Sequence, residues 1–219
     1  MIKIIGLFSW MLLSLISMAQ TAVNEASFKY DISIEGAGNN AAAKSFEGAT
    51  YQVYVKGNQS RTEMVNGLGT ESVLYDSRAA KGAILKEYSG QKLMITMNAE
   101  NWSAKNSYFR NLKFTVSNEE KTINGFACKK ATATLSSGES LSVYFAPGIV
   151  LNNRQYNNAF TNLEGLPVQY EVKSGNMKFI YTLKSISYES VAVAKFELPK
   201  SGYRIMSYEE NLQLRKGGK

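Results

Sequence analysis

Histidine is absent from all 219 residues, and that removes most enzymatic designs. A Ser-His-Asp triad, a Cys-His pair and an imidazole metal site all require it. Aspartate occurs only as Asp31 and Asp76, in no ligand-spaced cluster. Glu119 and Glu120 are adjacent and read as a solvated turn rather than a calcium loop. Gly36-Ala37-Gly38 and Gly67-Leu68-Gly69 lack the helix onto which a phosphate loop opens. Cys128 is the one cysteine, so no intramolecular disulfide forms. It lies in a strand-like run on the side of Phe126 and reads as a small buried hydrophobe. A carboxylate pair for glycoside hydrolysis meets only in the fold and leaves no mark in the sequence. The expectation is a protein that is not an enzyme, with no catalytic residue, no cofactor and no metal.

What remains for function is apolar surface: thirteen Tyr, ten Phe and two Trp. Their densest arrangement is Leu163 to Tyr188. Gly175-Asn176 is a two-residue hairpin loop of the kind that tolerates positive φ. A turn there sets Val172 opposite Phe179, Tyr170 opposite Tyr181 and Val168 opposite Leu183. All six then share one face, because side chains alternate along a strand. Gln169 opposite Thr182 and Glu171 opposite Ile180 make the other face. Lys173 opposite Lys178 is a small cost. A slip of one residue would turn the apolar set to solvent, so the register is fixed. Pro167 falls at the first strand residue, where its missing N–H is tolerated.

The same logic reads the rest of the chain. Ser27 to Glu35 alternates Phe28, Tyr30, Ile32 and Ile34 against polar residues. Gly36 to Lys44 is a loop of small residues. Strands follow at Thr50 to Lys56, Gln59 to Val65, Gly69 to Asp76, Gly82 to Tyr88 and Gln91 to Met97. Asn98 to Arg110 breaks the pattern; Asn98 caps a short helix carrying Trp102 and Phe109. Strands resume at Leu112 to Asn118, Gly125 to Leu135 and Leu141 to Ala146. The Asn-rich stretch 152–162 holds one helical turn around Tyr156 to Phe160. Ala194 to Leu198 is a last short strand. Ser207 and Glu210 form a capping box that opens a helix at about 208–215. Six Gly-containing turn pairs, at 57-58, 66-67, 89-90, 124-125, 137-138 and 175-176, imply an antiparallel sheet of about ten strands, large enough to curl. The fold class is mainly β, in one domain over 20–219 with its core at about 27–204.

The N-terminus is a separate matter. Lys3 precedes an apolar run from Ile4 to Ile16, and Ser17-Met18-Ala19 supplies small residues where a signal peptidase reads. This is the pattern of a secretory signal peptide over 1–19, cleaved between Ala19 and Gln20. The run is short for a spanning helix, and no cysteine stands at the cleavage site to take a lipid. No later segment is long and apolar enough to span a bilayer. The formal net charge is +7. In an exported protein that favours solubility and anionic envelope surfaces rather than nucleic acid.

Three segments carry a resemblance. Gly165-Leu166-Pro167 after an Asn-rich stretch resembles the GLPGLI-type exported β-rich proteins of the Bacteroidetes. Ile123 to Ala131, INGFACKKA, resembles a segment that those proteins carry upstream. Phe196 to Tyr203, FELPKSGY, resembles the closing segment common to them and to periplasmic lipoprotein carriers of the LolA/LolB type. The match runs from about Gly48 to Tyr203. Val168-Gln169-Tyr170 replaces the second half of the GLPGLI phrase, and no lipoprotein-receiving residue transfers. The resemblance implies a curled antiparallel half-open barrel, with a few short helices covering an apolar concave face.

From this we expect an exported periplasmic, or secreted, binding or carrier protein. It would hold a lipid, an acyl chain or a lipoprotein anchor against Tyr170, Val172, Phe179, Tyr181 and Leu183, with Trp102 and Phe109 on the cover. The alternative is a non-catalytic structural or interaction protein with envelope protein partners and a filled core.

Overall fold

The computed structural model describes residues 21–36 and 41–217. The signal-peptide reading and the middle of the Gly36 to Lys44 loop lie outside them. Fourteen strands and three helices are present among the described residues. In chain order they are β1 (Thr21–Val23), β2 (Glu25–Glu35), α1 (Ala41–Lys44), β3 (Thr50–Lys56), β4 (Gln59–Asn66), β5 (Gly69–Asp76), β6 (Lys81–Tyr88), β7 (Gln91–Met97) and α2 (Ala99–Lys105). Then come β8 (Thr115–Ile123), β9 (Phe126–Thr134), β10 (Ser140–Ala146), β11 (Ile149–Leu151), β12 (Leu166–Ser174), β13 (Met177–Ser187), β14 (Arg204–Ser207) and α3 (Tyr208–Gly217).

Twelve strands form one sheet in the order β14-β7-β6-β5-β4-β3-β2-β13-β12-β10-β9-β8. All of its pairs are antiparallel except β14 beside β7. Two meanders, β2 to β7 and β8 to β13, meet at the β2–β13 seam. The hairpin has the expected register, with Tyr170 opposite Tyr181, Val172 opposite Phe179 and Lys173 opposite Lys178. The Lys178 ammonium is held by Glu35 and Glu171, which offsets the repulsion across the ladder. Glu87 pairs with Lys92 across the Ser89-Gly90 turn, 2.9 Å apart.

The connection from β7 to β8 explains the shape. It spans residues 98–114, and it joins strands ten places apart in the sheet. In a flat sheet those strands would lie about 48 Å apart. A seven-residue helix, a 3₁₀ turn and seven extended residues reach at most about 40 Å. The sheet must therefore curl, and residues 98–114 form a strap across the face that closes in. The sheet stays open, with β14 and β8 as its edges.

The strap is built as its sequence indicates. The Asn98 side chain accepts from the Asn101 N–H at 2.9 Å, and the Asn101 side chain accepts from the Asn98 N–H at 3.2 Å. A 3₁₀ turn at Ser107–Phe109 follows α2. At its far end, Tyr108 bonds Ser137 and Glu139 on the β9–β10 turn. The Asn-rich stretch gives two 3₁₀ turns, Arg154–Tyr156 and Asn158–Phe160, each with an Asn cap. They press onto the same face from the side of β2 and β12. The Ser207–Glu210 box is formed in both directions.

Gly165 answers for the Gly-Leu-Pro phrase. A Cβ there would stand 2.5 Å from the Ala146 carbonyl and 2.6 Å from the Phe145 ring. Only glycine lets the chain enter β12 this close to β10. At the same entry to β12, the Tyr30 hydroxyl from β2 donates to the Pro167 carbonyl at 2.7 Å in the buried core.

Five expectations change. The end of the expected Gly36 to Lys44 loop is a short helix, α1 at Ala41–Lys44. Ala194 to Leu198 is not a strand but a 3₁₀ turn at Val193–Phe196. It lies over the outer face of interior strands whose backbone groups are already paired, so it docks by side chains and carbonyls; the Arg61 guanidinium donates to the Lys195 carbonyl at 3.2 Å. Glu119-Glu120 is not a turn. It belongs to β8, which continues to the Asn124-Gly125 hairpin and bulges at its start. The turn at 66-67 moves one residue on, because Asn66 pairs with Gly69. Finally, β1, β11 and β14 add to the expected strands. All three are short, and all pair in parallel with distant partners.

Candidate functional site

The hairpin face lies under a roof of rings. Tyr170 stacks on Tyr181 with centroids 4.8 Å apart and meets Phe160 edge-on, also at 4.8 Å. Tyr30 lies 6.1 Å from Tyr170, and Tyr51 packs on Tyr181 at 5.5 Å. Phe179 is covered by Phe46 at 5.1 Å. Leu183 is fully buried, and Tyr170 and Phe179 are buried with it. Tyr181 is half-buried, while Val172, at the hairpin's outer end, is 38% exposed. Tyr170, Leu183 and Val168 belong to the main core cluster along with Phe28, Tyr30, Val53, Tyr156 and Phe160. Desolvation keeps the Tyr30 and Tyr170 phenols protonated well above the usual range. It pushes Tyr181 up to about 12.

The two strap residues sit elsewhere. Trp102 is buried and lies flat on Tyr75, with centroids 3.8 Å apart and planes 4° from parallel. Phe109 is half-buried against the main core. Between the strap and the sheet a cleft of about 230 Å3 remains. Its floor is Tyr51 from β3, Thr62 and Met64 from β4, and Glu71 and Val73 from β5. Its roof is Trp102, Lys105, Asn106 and Phe109, and its end wall is the turn from Tyr156 to Ala159. The structure thus brings Trp102 and Phe109 together at one opening. Tyr170, Phe179, Tyr181 and Leu183 are not among the residues that line it.

Charge at the cleft is uneven. Glu71 is ion-paired with Lys86 at 3.3 Å. The Lys105 ammonium has no hydrogen bond or ion pair among the described residues; it lies 5.9 Å from the Trp102 ring centroid. Lys105 as a whole is exposed; partial desolvation beside the strap lowers its pKa, Glu71 opposes that shift and Lys86 adds to it. Two cations therefore face one carboxylate. The Trp102 indole N–H is buried and also lacks a partner, a state that costs about 1–3 kcal/mol.

Two larger grooves lie at the ends of the sheet. One, of about 500 Å3, is lined by residues on both sheet faces, Leu74 and Tyr75 among them, and so wraps around strand ends. The other, of about 520 Å3, is lined by the turns at Gly125 and Pro147-Gly148. The first touches the start of the strap at Asn98 and Asn101; the second lies away from the strap. Cys128 is buried, its thiol donates to the Phe126 carbonyl at 3.2 Å, and desolvation raises its pKa; it has the character of an inert thiol. No group of three His, Cys, Asp or Glu able to hold a metal ion occurs among the described residues. No described helix is long and apolar enough to cross a membrane.

Tyr51, Met64, Val73 and Lys105 were not singled out from sequence. Lys105 follows Trp102 by three residues on the same short helix, a spacing that places both on one side. That was the one legible signal. The others come from three strands that the fold brings side by side.

No protein-family model matches the chain, and no curated protein matches it in sequence. Solved structures do match in fold. PNGF-II in one crystal form is 12% identical with a TM-score of 0.51, over 88% of this chain and 33% of that one. MucB is 10% identical with a TM-score of 0.40, over 81% of this chain and 58% of that one. The MucA/MucB complex of Pseudomonas aeruginosa gives 11% and 0.37. The chain spans about a third of PNGF-II and little more than half of MucB. The PNGF-II likeness supports a shared β-rich fold. The MucB likeness is too weak to carry an argument.

Proposed function

We propose that this chain is a non-catalytic binding protein of the bacterial cell envelope, which holds the apolar part of a ligand in the cleft beneath the strap. The observation that carries the reading is the contrast between two parts of one face. At Tyr170 and Leu183 the face is filled by the protein's own rings. At Tyr51, Met64 and Val73 it is left open beside Trp102. The opening is mixed, with Met64, Val73, Trp102 and Phe109 beside Thr62, Glu71, Lys105 and three Asn; a concave site that combines apolar walls with a few placed polar groups is the usual form of a small-ligand site. The Ile4 to Ile16 leader supports export, and the curled sheet supports a carrier-like architecture. The test is mass spectrometry of protein isolated natively from its own cells, alongside titration with a fluorescent fatty acid. Bound lipid or saturable uptake is expected; absence of both contradicts the reading.

A second reading has its own observation. The packed face of the hairpin favours an interaction protein with envelope partners, for which the cleft is only a packing defect. Under that reading no acyl ligand saturates the protein.

A further inference from the structure

Building on the proposed function, we propose that the cleft selects a single-chain anionic amphiphile, a short- to medium-chain alkyl carboxylate, with Lys105 holding the carboxylate and Tyr51, Met64, Val73 and Trp102 enclosing the chain. Size and charge lead to this independently.

A volume of about 230 Å3 equals roughly eight water-sized units. It admits a chain of about that many heavy atoms. A two-chain lipid or a triacylated lipoprotein anchor exceeds it, so those ligands would have to leave most of their chains in water. The lining is mixed: Met64, Val73 and the Trp102 ring offer a chain apolar contact, Glu71 and Thr62 lie across the strands from Met64 and Val73, and Lys105 and Asn106 stand on the strap side.

Charge decides the head. Lys105 has no ion pair or hydrogen bond to satisfy it. Glu71 is the one carboxylate in the lining, and Lys86 already holds it. A cationic head would meet two ammonium groups. A neutral head would leave Lys105 as it is. A carboxylate gives it the charge-assisted hydrogen bond that it lacks.

The test uses the full coding chain expressed and exported in its own host. Trp102 is the only tryptophan outside residues 1–20, so its fluorescence reports on the cleft. The protein is titrated with octanoate, octan-1-ol, octylammonium and palmitate, each below its micelle-forming concentration. Octanoate is expected to saturate the signal, about tenfold tighter than octan-1-ol, and more weakly as salt rises. Octylammonium should not bind, and palmitate should gain little over octanoate. Lys105→Met keeps the apolar stem and should bring octanoate to the affinity of octan-1-ol while the Tm stays unchanged. The proposal is overturned if octan-1-ol matches octanoate, or if Lys105→Met keeps the preference. Either outcome leaves the broader binding function standing. If none of the four saturates, the cleft is not a ligand site and both readings fail.

Discussion

Replacing Tyr181 by glutamate separates a packed face from an open one. The Tyr181 ring stacks on Tyr170 at 4.8 Å and meets Tyr51 at 5.5 Å. Each ring pair contributes about 0.5–1.5 kcal/mol beyond area burial. Removing a half-buried ring from the apolar environment costs a further ~1–2 kcal/mol. Tyr181→Glu should therefore destabilise the fold by about 3–4 kcal/mol before any charge penalty, a fall in Tm of about 10 °C for a chain of this size. The charge adds a pH signature. The new carboxylate would sit among rings and within reach of Glu71, whose charge already raises the Tyr181 pKa. Its folded pKa would lie above the unfolded value of about 4.3. The added penalty is absent below that unfolded value. It grows as pH rises and levels off above the folded pKa. The assay is urea denaturation followed by circular dichroism at pH 4 and pH 7. A loss under about 1 kcal/mol at both pH values would refute the claim that this face is packed.

Other substitutions probe the same architecture. Tyr30→Phe removes the buried donor to the Pro167 carbonyl and should cost about 1–3 kcal/mol by chemical denaturation. Gly165→Ala forces a methyl to 2.5 Å from the Ala146 carbonyl. It should destabilise by about 1–3 kcal/mol, whereas Gly90→Ala at an open turn is limited to its backbone strain. Glu25 and Glu87 are held below the usual carboxylate range, the first mainly by the Lys56 hydrogen bond and the second mainly by Tyr203. Their stabilisation is present above the unfolded pKa of about 4.3 and is lost as pH falls through the folded values. Glu25→Gln should flatten the acid limb of a stability-against-pH curve. The Tyr30 and Tyr170 phenols are raised by burial, so their contribution holds below about pH 10 and is lost as pH rises. An ultraviolet tyrosinate titration should show them ionising together with unfolding, not before it.

Much of this architecture is written locally in the chain. Gly175-Asn176 and the alternation on either side of it set the hairpin register without reference to the rest of the fold. Asn98 and Ser207 mark the helix starts because their side chains satisfy backbone donors within three residues. What escaped is non-local. Arg204 to Ser207 becomes a strand only because the edge of β7 is free to receive it in parallel. The alternating Ala194 to Leu198 segment becomes a 3₁₀ turn because no free edge lies beneath it. The site follows the same division. Tyr170 and Tyr181 were correctly placed on one face, yet sequence could not say that Phe160, Tyr30 and Tyr51 would fill the space above them. Nor could it show that β3, β4 and β5 would bring Tyr51, Met64 and Val73 beneath Trp102. The strap does that, and its path follows from strand order.

The most direct test of a ligand cleft beside a sealed face is an NMR titration with octanoate, in which shift changes are followed residue by residue. Saturable changes should concentrate at Met64, Val73, Trp102 and Lys105, with Tyr170 and Leu183 unmoved. Changes centred on Tyr170 and Leu183, or none anywhere at saturating octanoate, would contradict the account.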